Sequence, residues 1–221
     1  MGSRSYGQFC GVASALTMVG ERWALLIVRD LLVGPRRFTD LLNGLPAIPT
    51  NVLSSRLKEL EGHGVIRRRV LPLPEKGVVY VLTEYGSELE EAVLALGRWG
   101  ARSLTVPAEH EIVTTDSMIM ALRTTFRAHY ATGVRCGFQL NIGDVTVHAR
   151  VDDGHLHAAA GHLPDADLVI ETGPQIRALM AGERSPEQAL DDGSVRITGE
   201  RDLLQLFTRL FAIDARLPAV A

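Results

Sequence analysis

Two cysteines, Cys10 and Cys136, are all that the 221 residues contain. That is too few for a disulfide framework and fits a reducing compartment, so the sequence predicts a cytoplasmic protein. No apolar run reaches the roughly 18 residues that a membrane helix needs, and no membrane partner is expected. The N-terminus lacks a basic segment ahead of a continuous apolar stretch, so no signal peptide is expected. No glycine-rich phosphate loop and no nucleophile elbow occurs. Paired acids such as Asp152-Asp153 and Asp191-Asp192 fall at turns, where aspartate is favoured for local hydrogen bonding. Together these absences argue against an enzyme. Seven histidines raise the question of a metal. His155 and His157 share one face of a strand, with His148 and His162 nearby in sequence, but a zinc site needs three or four ligands and an orienting shell. No Cys-x-x-Cys or His-x-x-x-His accompanies them, and neither metal nor cofactor is expected.

What is present is ample apolar material. The chain is 46% hydrophobic, and at roughly 100–150 residues per domain its length suggests two domains. The net charge of -3 hides an asymmetry. Through residue 103 there are 13 Lys and Arg against 10 Asp and Glu; the remainder carries 10 against 16. Residues 36–76 hold Arg36, Arg37, Arg56, Lys58, Arg67, Arg68, Arg69 and Lys76 against four acids. Such asymmetry points to a different partner for each half.

Apolar spacing predicts a helix over residues 10–19, stopped by Gly20, and a central buried helix over 23–33, ended by Gly34-Pro35. A short helix is expected over 36–42 and another over 48–63, with Leu53, Leu57 and Leu60 as one buried stripe and Pro49 in the first turn. The period then changes. Residues 65–71 and 78–82 read as two strands around the Pro- and Gly-rich turn 72–77, a hairpin with a basic arm. Thr83 is a plausible N-cap for a long helix over 84–102.

Helix, helix, short helix, helix, basic hairpin, helix is the order of a winged helix-turn-helix. In that arrangement the second helix of the motif lies in the major groove and the hairpin reaches the flanking backbone or minor groove. Opposite Leu53, Leu57 and Leu60 stand Thr50, Asn51, Ser54, Ser55 and Lys58, short polar side chains that can read base edges or bind phosphates, with one cation. Arg36 and Arg37 can hold phosphates from the preceding helix, and Arg68 and Lys76 from the wing over 67–78. Arg56 can either touch DNA or buttress the motif through an ion pair. The stripe Leu89, Val93, Leu96 and Trp99 needs a partner surface, either the domain's own core or a second copy. A homodimer would present two reading helices to a palindromic site about one DNA turn apart.

Cys10-Gly11, Gly20-Glu21-Arg22-Trp23, Arg37-Phe38-Thr39-Asp40-Leu41, Arg56-Leu57-Lys58-Glu59-Leu60-Glu61, Gly64-Val65-Ile66-Arg67-Arg68 and Tyr80-Val81-Leu82-Thr83 carry a family resemblance. Residues 10 to about 103 resemble the HxlR family of bacterial regulators, relatives of the MarR group. The resemblance implies a homodimeric winged-helix protein that binds double-stranded DNA, often repressing a neighbouring operon. Three positions depart from the family pattern: Gly11, Pro49 and Val79. Some proteins of this resemblance use a cysteine at the place of Cys10 as a redox sensor. A reactive thiol needs a lowered pKa, such as a helix N-terminus provides, and Cys10 is the redox candidate. It can equally be a small apolar group.

The second half reads as an α+β domain with a mainly antiparallel sheet. Residues 104–110 are an expected linker. Thr114 or Thr115 caps a helix containing Met118 and Phe126, and strands are expected over 135–142, 145–151, 155–160, 168–171 and 194–198. Thr172 is expected to cap a helix over 174–180; helices over 186–190 and 202–211 complete the set. Residues 166–171, 176–182, 186–190 and 195–200 resemble sterol carrier protein-2. That resemblance implies an apolar tunnel for a hydrophobic ligand, lined by position by Phe138, Leu140, Val147, Leu179, Met180, Leu206, Phe207 and Phe211. Plain core is the alternative for each.

The sequence therefore predicts a winged helix-turn-helix domain over 1–104 and a sterol carrier protein-2-like domain over 111–221. The expected function is a homodimeric transcriptional regulator, a repressor, whose second domain binds a small hydrophobic effector or serves as a dimerisation platform. Two other readings stay open: redox sensing through Cys10 with a scaffolding second domain, and a lipid carrier.

Overall fold

The computed structural model describes residues 6–105, 107–109 and 111–214. The outer ends of both expected domains and two residues of the expected linker lie outside these. The chain divides into two compact units, one up to Val93 and one from Leu94 onward.

In the first unit, α1 (Gly11–Val19) leads through Gly20 to α2 (Ala24–Val33). Trp23 caps α2 in the left-handed region, at φ 80°, with the Arg22 guanidinium 5.1 Å above its ring. Helix α2 buries Ala24, Ile27, Val28 and Leu31, which is the central position its apolar run predicted. Helix α3 (Phe38–Gly44) starts two residues later than expected. Arg36 and Arg37 are extended instead: Arg36 pairs as an isolated bridge with Tyr80, and Arg37 is the N-cap, its amide donating to Asp40 at 2.7 Å. Helix α4 (Thr50–Gly62) buries Leu53, Leu57 and Leu60 as read from their spacing, with Pro49 one place earlier than expected, as the N-cap.

Strands β1 (Ile66–Leu71) and β2 (Gly77–Leu82) form the antiparallel hairpin. The Thr83 hydroxyl accepts from the Gly86 amide, so the expected cap is present. The long helix it was to start is broken. Helix α5 (Glu84–Ser87) stops, and α6 (Glu90–Ala101) begins afresh. Gly86 sits within α5, where a Cβ would lie 2.0 Å from the Val65 carbonyl oxygen, so this turn is pressed onto the entry to β1. Glycine is also a weak helix former. The core gathers α2, α3, α4 and the hairpin base, with Tyr80, Leu82, Leu89 and Val93 packed against it.

In the second unit, α7 (Thr115–Thr125) opens with a capping box between Thr114 and Ser117. A short 3-10 turn (Ala128–Tyr130) follows, then β3 (Arg135–Ile142), β4 (Val145–Asp152), β5 (His155–Ala160) and β6 (Leu168–Thr172). Helices α8 (Ile176–Met180) and α9 (Pro186–Asp191), strand β7 (Val195–Gly199) and helix α10 (Arg201–Leu210) complete it.

The sheet order is β5-β4-β3-β6-β7, and β6 runs parallel to β3. The expectation of a mainly antiparallel sheet is thereby corrected: the sheet is mixed. The reason lies in residues 161–167. Instead of turning back beside β5, this strap crosses β3, where the Leu163 amide donates to Gln139 Oε1 and the Asp167 amide to the Gly137 carbonyl. Asp167 Oδ2 in turn accepts from the Gly137 amide at 2.7 Å. The strap delivers β6 to the far edge of β3, with the β4–β5 hairpin serving as the crossover. A second correction concerns Thr172. Its hydroxyl donates to the Ser194 carbonyl at 3.1 Å, which ties β6 to the start of β7, and Gln175 is the N-cap of α8 without a side-chain bond.

Candidate nucleic-acid interface

The buried stripe of α4 fixes which of its residues face outward. Thr50, Asn51, Ser54, Ser55 and Lys58 are all exposed. Two are engaged within the helix: the Ser54 hydroxyl donates to the Thr50 carbonyl at 2.9 Å, and Ser55 Oγ to Glu59 Oε1 at 3.1 Å. Among the described residues, the side chains of Thr50, Asn51 and Lys58 make no hydrogen bond or ion pair. A helix with one face of leucine and the other of short polar groups and one cation suits the major groove.

Several arginines hold this face in place. Arg56 pairs with Glu59 one turn on and with Glu21 Oε2 at 3.5 Å, ahead of α2. These pairs give it the buttressing role. Arg68 closes a forked ion pair on Glu61, with Nε at 3.0 Å and a terminal nitrogen at 2.7 Å. The bond from Arg68 holds the Glu61 carboxyl below its ordinary value, and Glu61 raises Arg68 in return. Arg68 therefore joins β1 to the last turn of α4, a positioning role that the phosphate-binding expectation did not include. Arg37 does the same for the hairpin tip. Its guanidinium donates to the carbonyls of Lys76 at 3.0 Å and Glu75 at 3.3 Å. Gly77 makes room at φ 141°, where a Cβ would fall 2.2 Å from the Arg37 nitrogen. Arg36 donates to the Pro35 carbonyl. Lys76 is exposed on the tip.

Sequence reasoning missed Glu21 and Glu61 as acids that fix these cations, and Asp40 as the acceptor for the Arg37 backbone amide. The three-residue spacing of Arg56 and Glu59 was a usable signal; the pairing of Glu61 with Arg68 across a turn left none.

The proposed dimer stripe divides. Leu89 and Val93 are partly buried against the first unit's own core, whereas Leu96 is 50% and Trp99 70% exposed. Cys10 is exposed at the N-cap of α1. The amides of Ala13 and Val12 face its sulfur without closing a full hydrogen bond and draw the thiol below its ordinary value. Cys136 is buried in β3, and burial pushes it up to about 11.

Of the expected tunnel lining, Phe138, Leu140, Val147, Leu179, Met180, Phe207 and Phe211 are buried and Leu206 half-buried. Phe138 meets Phe207 and Phe211 edge to face, and Phe207 and Phe211 lie tilted against each other, with ring centroids 4.9 to 6.0 Å apart. The histidines are spread over the opposite face: His148 bonds the Gly161 carbonyl, and His162 bonds Gln139. Among the described residues no group of three or more His, Cys, Asp or Glu is arranged to hold a metal.

The family model described as HxlR-like helix-turn-helix matches residues 18–107. The HTH-type transcriptional regulator YodB of Bacillus subtilis is 38% identical over 86 residues, which is 39% of this chain and 77% of that protein. YvaP of the same organism, also an HTH-type transcriptional regulator, is 39% identical over 85 residues, 38% of this chain and 79% of its own length. The chain belongs to the HxlR-like helix-turn-helix family. It is a DNA-binding transcriptional regulator, and the helices and hairpin described above are the family's domain. Among solved structures, the redox regulator HypR in its oxidised form aligns with a TM-score of 0.41 at 32% identity, covering 44% of this chain and all of that one. The HxlR match stops at residue 107 and does not reach β3 or the strands that follow.

Proposed function

We propose that this regulator acts as a homodimer on a palindromic operator, reading it with the outward face of α4 while the hairpin grips the flanking backbone, and that it represses a neighbouring operon from the cytoplasm. The observation that carries this reading is a polar face, Thr50, Asn51 and Lys58, with no side-chain bond among the described residues, on a helix that Arg56 and Arg68 tie to its neighbours, beside a hairpin tip that Arg37 clamps. Residues 1–104 would bind DNA. Residues 111–221 would form a domain like sterol carrier protein-2, serving dimerisation or a small hydrophobic effector. Because Phe138, Phe207 and Phe211 pack against one another, such an effector would have to part them, and it would act by favouring one spacing of the two reading helices. The exposed Leu96 and Trp99 suit a contact between copies.

Titration of fluorescent DNA from the gene's upstream region tests the reading, using wild type and Asn51→Ala/Ser55→Ala at two salt concentrations. Salt-sensitive binding that the double variant loses is expected. Absence of binding at low salt by a folded protein overturns it.

A second reading rests on Cys10, whose exposed thiol sits at the start of α1 with a depressed pKa. Oxidant-dependent release of DNA that Cys10→Ser abolishes would make the second domain a scaffold.

A further inference from the structure

The hairpin carries something that phosphate gripping does not explain. Its outer half is apolar. Val70 and Val78 face each other across the strands and are 75% and 45% exposed, and Leu73 at the tip is 73% exposed between Pro72 and Pro74. An exposed leucine is ordinary by itself; a contiguous apolar tip on a hairpin that otherwise bears cations is not. Lys76 and one acid, Glu75, stand beside the leucine, and Arg69 and Arg67 follow down β1 on the other face of the hairpin; among the described residues the side chains of Arg67, Arg69 and Lys76 have no hydrogen bond or ion pair. The tip is also held stiff, because Arg37 bonds the carbonyls of Glu75 and Lys76 and two prolines flank the leucine.

An apolar point on a hairpin with more unpaired cations than acids complements a surface with apolar walls and an anionic rim. The minor groove of DNA offers both: its walls are the C–H faces of the sugars, and phosphates line both lips, while the base edges at its floor carry acceptors. Apolar side chains are known to wedge there. We infer that Leu73 is a specificity-determining contact, which enters the minor groove beside the α4 site and disfavours G·C pairs at the flank. The discriminating group is the guanine 2-amino group, the donor that protrudes into the minor groove of G·C and is absent from A·T. A leucine side chain can neither accept a hydrogen bond from it nor share its space. The flanking cations contribute affinity without regard to sequence. This inference rests on the DNA-binding reading and adds a residue and a base preference to it.

The test uses the full-length protein and duplexes it enriches from a random pool. At the flank that the hairpin covers, A·T pairs are replaced by G·C and by inosine·C. The latter presents the major groove of G·C but lacks the 2-amino group. Wild type is expected to bind A·T and inosine·C flanks alike, and about fivefold more tightly than G·C. Leu73→Ala should flatten that preference, leaving the salt slope unchanged, and Leu73→Met should restore it. Lys76→Ala should keep the preference and reduce the slope by about 1. The inference is overturned if inosine·C behaves as G·C, or if Leu73→Ala keeps the preference. It is equally overturned if that variant instead changes the oligomeric state in sedimentation, since the tip would then be a contact between copies. Enrichment of no sequence at all by wild type would remove the underlying reading instead.

Discussion

Arg37 donates to the carbonyl of Lys76 across 39 positions of sequence, and Gly77 gives way so that it can. The guanidinium at the start of α3 thus sets the height of the hairpin tip. Removing it frees the tip while leaving the core intact. Arg37→Ala should lower DNA affinity by roughly tenfold, the equivalent of about one hydrogen bond's net worth, while the thermal midpoint moves little. Gly77→Ala should reproduce that loss, because its methyl group displaces the same nitrogen. Unchanged affinity in both variants would refute the clamp.

Arg56 and Lys58 are neighbours with different work. Arg56 is engaged by Glu21 and Glu59, whereas Lys58, exposed on the outer face of α4, has no side-chain partner among the described residues. Lys58→Ala should reduce the slope of log affinity against log salt by about 1. Arg56→Gln should weaken binding with the slope unaltered. A salt titration of both variants checks this, and equal slopes would reverse the assignment.

Leu57 lies at the centre of the stripe and is 2% exposed. Leu57→Ala should cost about 2–5 kcal/mol of stability, read from denaturant unfolding. A cost below about 1 kcal/mol would mean that the core closes differently around α4.

The two thiols should separate by pH. Cys10 is held low by the amides at the start of α1, and Cys136 is pushed up to about 11 by burial. A lowered pKa means that the thiolate persists to lower pH, so alkylation of Cys10 in Cys136→Ala should have its midpoint below that of a free cysteine. In Cys10→Ser, Cys136 should stay unreactive at neutral pH. The reverse order of reactivity would refute the placement.

Much of the first unit was legible because its signals are local. Leu53, Leu57 and Leu60 fix the inward face of α4 by spacing, and the hairpin is marked by its change of period. The break before α6 was not legible, since neither Glu88 nor Leu89, where the helix is interrupted, is a local stop signal. Likewise Arg37 and Arg68 read as phosphate ligands because their bond partners, the Lys76 carbonyl and Glu61, are brought near only by the fold. In the second unit each strand was found, but not the parallel pairing of β6 with β3. That pairing depends on the strap over Gln139, and a loop's path across a sheet leaves no periodic trace.

The bridge between Arg36 and Tyr80 has a consequence for how this protein behaves when crowded. A lone two-stranded ribbon is marginal in water, and its outer backbone is open to any chain that arrives. Here the Tyr80 amide donates to the Arg36 carbonyl at 2.8 Å and the Arg36 amide returns the bond at 3.1 Å. The rim of β2 is therefore occupied at its midpoint by the same polypeptide, leaving that stretch closed to strand exchange between neighbouring molecules on one DNA.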